Sequence, residues 1–66
     1  ALFEHLTAAE TLAFVGQVHG LPAATIRTRT AELLALMDLT SASGQLVADY
    51  SHGMRKKASL AAALSQ

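Results

Sequence analysis

Gly20-Leu21-Pro22 cuts the first half of this chain into two helical stretches and obliges them to fold back on each other. Glycine takes the left-handed conformation that closes a helix, and proline, with φ preset and no amide proton, suits the first turn of the next. A connection this short makes an antiparallel hairpin. Ala1 to His5 reads as the end of a loop, after which Thr7 and Glu10 stand at the spacing of a capping box. The first helix is expected from Ala8 to about His19, with Ala8, Leu12, Val15 and His19 on one stripe and Phe14 with Val18 on an adjacent one. The second is expected from Pro22 to about Met37. Its inner stripe is Ile26, Thr30, Leu33 and Met37 with Leu34 and Leu36 alongside, while Arg27, Thr28, Ala31, Glu32 and Ala35 face outward.

Asp38 to Gln45 is small and polar, a connection with a helical turn around Ser41 to Ser43, and Leu46-Val47 is a brief extended anchor. A third helix follows Ser51 and runs to about Leu64, with Met54, Lys57, Ala58, Leu60, Ala61 and Leu64 toward its partners. The fold class is all-α, a helical hairpin plus a third helix.

With 66 residues the chain forms one small domain at most, and such a chain buries only about 60% of its unfolded surface. The absence of cysteine excludes a disulfide framework and a thiolate metal site, and fits a cytoplasmic origin. His5, His19 and His52 are dispersed without ligand spacing, so no metal site is expected. Five basic residues balance five acidic ones, a poor charge balance for binding nucleic acid, where affinity needs many cations on one face. The longest uncharged run is broken by Gln17, His19, Gly20 and Pro22, so no membrane span is expected. No charged segment precedes a short apolar block and a cleavage site, and no signal peptide is expected either. The hydrophobic content of 52% instead marks surfaces that a larger protein covers.

Asp49 to Lys57 is the stretch that packing does not explain. A serine and a glycine open a helix there, and Arg55, Lys56 and Lys57 follow in succession. Amides at a helix start lack intrahelical acceptors and the peptide dipoles converge on them, which favours an anion. Ser51 suits an N-cap or a hydroxyl offered to an incoming oxygen, and Gly53 either a tight turn or close approach of a ligand to the backbone. For Lys56 the better reading is a solvated helix face.

Tyr50-Ser51-His52-Gly53-Met54-Arg55 resembles the signature motif of ATP-binding cassette (ABC) ATPases, usually Leu-Ser-Gly-Gly-Gln. The flanking text resembles the same family in the same order: Leu6 to Leu12, Gly20-Leu21-Pro22, Glu32-Leu33-Leu34 through Asp38-Leu39, and Lys57 to Leu64. The resemblance implies that residues 1–66 are the helical subdomain of a cassette ATPase of the bacterial exporter type, a fragment of an α/β phosphate-loop enzyme. Its phosphate loop (Walker A), Q-loop glutamine and magnesium-binding strand (Walker B) lie outside this sequence, which holds neither Gly-x-x-x-x-Gly-Lys-Ser/Thr nor a strand ending in Asp-Glu.

By position, the resemblance places Ser51, His52, Gly53 and Met54 at the ATP phosphates held by a second ATPase subunit, with Ser51 supplying its hydroxyl and Gly53 a backbone N–H. His52 stands where the family has glycine and Met54 where it often has glutamine. Histidine either tolerates a left-handed turn there or presents its ring to the nucleotide. Tyr50, in place of leucine, anchors the loop in apolar surface. Leu2, Phe3 and Leu6 lie nearest a transmembrane transporter subunit by the same analogy, on the cytoplasmic side of the membrane. The resemblance implies ATP and magnesium in the parent, none bound to this segment alone. Two other classes are a free-standing helical interaction module, gripping a partner helix with its apolar faces, and a small nucleic-acid binder using Arg27, Arg29 and residues 55–57.

Overall fold

In the computed structural model, which describes residues 4–65, α1 (Ala8–Val18) and α2 (Ala23–Leu36) form the hairpin and α3 (His52–Leu64) closes over it. Thr7 opens α1 through the expected capping box: its hydroxyl oxygen accepts from the Glu10 amide at 3.0 Å while its own amide donates to Glu10 Oε1 at 2.9 Å. Gly20, at φ 73, ends α1 in a Schellman turn, with its amide on Gln17 and the Leu21 amide on Gly16. The same pattern ends α2, the Asp38 and Leu39 amides donating to Ala35 and Leu34, but here the left-handed residue is an aspartate, at φ 56.

Between α2 and α3 the chain makes two 3-10 turns, Thr40–Ala42 and Val47–Asp49, close to the expected connection. Leu46 is extended and pairs in one antiparallel bridge with Thr7, but Val47 already belongs to the second turn rather than to an extended anchor. Its amide donates to the Leu6 carbonyl at 2.9 Å, which lashes the start of α1 to the segment leading into α3.

Ala8, Leu12, Leu34, Leu39, Ala42, Val47, Tyr50, Ala58 and Ala61 make the core. Alanines on α1 and α3 let the helix backbones approach closely, and each buried leucine contributes roughly 1.5–3 kcal/mol. Several expected faces are corrected. On α1 the buried set is Ala8, Thr11, Leu12 and Gly16, while His19, Phe14 and Val18 are exposed. The cause is the crossing with α2 at Gly16, where a Cβ would come within 2.7 Å of Ile26 Cγ1, so the contact stripe turns toward the residue without a side chain. On α2 Leu36 is exposed, and on α3 so are Lys57, Leu60 and Leu64, because Ala58 and Ala61 hold the contact.

Candidate functional site at the start of the third helix

Ser51 is the N-cap of α3, with extended backbone at φ −63 and ψ 165. Its carbonyl accepts the first helical bond, from the Arg55 amide at 2.9 Å, and its Oγ accepts from the Met54 amide at 3.2 Å. The hydroxyl proton is not consumed by this arrangement, since a serine oxygen accepts through lone pairs and donates separately. Ser51 therefore caps the helix and can still donate. The amides of His52 and Gly53 meet no acceptor among the described residues, and Ser51, His52 and Gly53 are all exposed. Met54, half-buried, turns back against the core.

His52 and Gly53 are both helical residues, which corrects the expectation of a turn around them. Among the described residues Asp38 is the one non-glycine with positive φ, so His52 carries no left-handed conformation. Gly53 has no positive φ, and a Cβ built on it would touch nothing within 4 Å. Among the described residues nothing requires a glycine at that position.

Two contacts behind the turn hold it in place. Tyr50, 3% exposed, buries its ring and donates its hydroxyl to the Ala42 carbonyl, fixing the loop as an apolar anchor in the way the sequence predicts. Burial pushes its phenol above the usual tyrosine range. The Arg55 guanidinium donates through Nη2 to the Ala48 carbonyl at 2.8 Å, so it is directed at the preceding 3-10 turn. Lys56 and Lys57 are exposed. These ties join residues seven or eight apart in the chain, and no periodicity argument reaches them; a tyrosine in a position expected to be apolar is the one signal in the sequence. Leu6 is half-buried and held by its carbonyl, while Leu2 and Phe3 lie outside the described residues.

Elsewhere, a groove of about 510 Å³ lies between α1, α2 and the first 3-10 turn, walled by Ala9, Ala13, Ile26 and Leu34 among others. The described residues hold no cluster of His, Asp or Glu suited to a metal ion, and no helix among them is long and apolar enough to cross a membrane.

Known proteins share this segment. The chain is 43% identical over 65 residues to the sulfate/thiosulfate import ATP-binding protein of Gloeobacter violaceus, covering 98% of this chain and 19% of that protein. It is 42% identical over 64 residues to the spermidine/putrescine import ATP-binding protein of Thermobifida fusca, covering 97% of this chain and 17% of the relative. The daunorubicin resistance ATP-binding protein of Streptomyces coeruleorubidus is 41% identical over 64 residues, covering 97% and 20%. These comparisons support the ATP-binding cassette family. The chain thus spans about a fifth of the length of the cassette-type relatives it matches. No family model matches it.

Proposed function

We propose that this chain is the helical subdomain of an ATP-driven transporter's ATPase, and that the first turn of α3 completes the ATP site of a second ATPase subunit. The supporting observation is the state of that turn. Ser51 keeps a hydroxyl proton to give, and a glycine stands where a side chain would meet only open space. Gly53 is the second residue of α3 and gains nothing from packing among the described residues; what its missing Cβ offers is close approach of a group from outside the chain.

In this reading the Ser51 hydroxyl and the Gly53 amide meet the γ-phosphate of ATP held by the other subunit's phosphate loop, and the exposed His52 ring lies beside it. The magnesium ion and the attacking water are positioned by residues outside this segment. What α3 supplies is donors already aimed at developing phosphate charge, the usual source of rate in phosphoryl transfer. In the same reading Leu6 faces the transmembrane subunit, on the cytoplasmic side of the membrane. The exposed Val18, Leu36, Leu60 and Leu64 are surfaces that the rest of the assembly covers. Two relatives are named resistance ATP-binding proteins and others import ATP-binding proteins; ATP-driven transport is the proposal that covers both.

Ser51→Arg in the full-length parent tests the reading. Turnover of ATP should fall by a factor on the order of 10²–10³, while a fluorescent ATP analogue still binds the variant's own phosphate loop. Wild-type turnover in that variant removes Ser51 from the site.

A further inference from the structure

Between the second 3-10 turn and α3 the chain passes through two extended residues, Tyr50 at φ −76 and ψ 147 and Ser51 at φ −63 and ψ 165. They form a corner, and the direction in which α3 sets out depends on their φ and ψ, the soft dihedrals of a chain. Tyr50 is held there by its buried ring and by its bond to Ala42. Ser51 is exposed, and its Oγ and carbonyl are both engaged within α3, by the Met54 and Arg55 amides. The same turn contains Gly53, and glycine adds backbone freedom. Arg55 is the residue that spans the corner. Its amide donates to the Ser51 carbonyl at 2.9 Å on the helix side, and its guanidinium reaches back to the Ala48 carbonyl at 2.8 Å on the other. An ionised donor makes a bond roughly twice as strong as a neutral one. Ala48 is itself tied down, its amide donating to the Glu4 carbonyl at 3.0 Å.

We propose that Arg55 is a positioning residue for the Ser51 hydroxyl, an inference that rests on the function proposed above. As the first of three successive basic residues it reads in the sequence as a cation for phosphate, but in the fold its guanidinium is directed at Ala48. That bond closes the chain from Ala48 to Arg55 into a loop with Ser51 inside it. The hydroxyl therefore keeps one direction relative to the second 3-10 turn, although Ser51 itself lies in solvent. Without the clasp the corner flexes at Ser51 and the first turn of α3 opens more often, as exposed helix ends with few buried contacts do. Misplacement of a reacting group by about 1 Å costs on the order of a hundredfold in rate.

The experiment is steady-state ATP hydrolysis and amide hydrogen exchange in the full-length parent carrying Arg55→Met, Arg55→Lys, Ser51→Ala, and Arg55→Met with Ser51→Ala. Arg55→Met should lower kcat roughly tenfold or more at unchanged KM, because in the proposed function ATP is bound by a phosphate loop outside this segment. Before any nucleotide is added, the amides at positions 54 and 55 should exchange faster in Arg55→Met, a change that loss of a direct phosphate contact would not produce. Arg55→Lys, which keeps a charged donor and loses the fork, should fall between wild type and Arg55→Met in kcat. On the Ser51→Ala background Arg55→Met should cost little more turnover, since both act through one hydroxyl. Wild-type kcat in Arg55→Met, a change confined to KM, unchanged exchange at both amides, or fully additive losses overturn the proposal. If Arg55→Met does not fold, Arg55→Lys decides: a lowered kcat at constant KM supports the proposal and a wild-type kcat overturns it. A loss in Ser51→Ala with none in the Arg55 variants overturns this inference alone, whereas wild-type turnover in Ser51→Ala overturns the Ser51 site and this inference with it.

Discussion

Tyr50 shows how one side chain decides the posture of the residue that follows it. Its ring fills the core and its hydroxyl donates to Ala42, a carbonyl that also receives the Gln45 amide at 3.1 Å. Tyr50→Phe therefore leaves that carbonyl satisfied and should cost about 1 kcal/mol, the net worth of one hydrogen bond. The pH response has a definite sign. Burial raises the phenol's pKa in the folded state, so the folded state holds this proton more tightly than the unfolded one. The contribution is constant below about pH 10 and is lost as pH rises from there through the raised value. The parent's free energy of unfolding, followed against pH, should fall less steeply above that point in Tyr50→Phe than in wild type; identical slopes contradict the burial argument. The sequence placed Tyr50 in apolar surface but carried no sign of its acceptor, because Ala42 enters only through the fold of the intervening loop.

At the scale of elements, the hairpin depends on the close crossing of α1 and α2. Gly16→Ala would set a methyl group 2.7 Å from Ile26 Cγ1, an atom that moves only with the stiff χ1 of a β-branched side chain. Overpacking of this kind costs about 1–3 kcal/mol, and amide hydrogen exchange in α1 and α2 of the parent should quicken accordingly. Unchanged exchange means that the helices separate without cost.

The capping box, the Gly20 stop and the Ser51 start were legible because each is a local hydrogen-bonding device with a fixed residue spacing. The end of α2 was legible only in position: Asp38 does there what glycine does at Gly20, and an aspartate does not announce a left-handed turn. Least legible were the helix faces. An alanine-rich helix has no strong apolar stripe, and the contact falls where the backbones come closest, on Ala58 and Ala61, leaving Leu60 and Leu64 exposed.

For the whole molecule, the hairpin and the two 3-10 turns hold the start of α3 exposed. Ser51, His52 and Gly53 were readable as a group because the chemistry of an exposed helix start is local. The ties behind them, from Tyr50 and Arg55, were not, since each joins parts of the chain that only the fold brings together. The claim that Ser51 serves another subunit is tested by mixing two inactive forms of the full-length parent, one carrying Ser51→Arg and the other lacking the lysine of its phosphate loop. If Ser51 acts across the interface, the mixed dimer contains one site with both halves intact and ATP turnover returns on mixing. If the mixture stays as inactive as its components while the dimers are shown to exchange, Ser51 does not act on a neighbouring subunit's ATP.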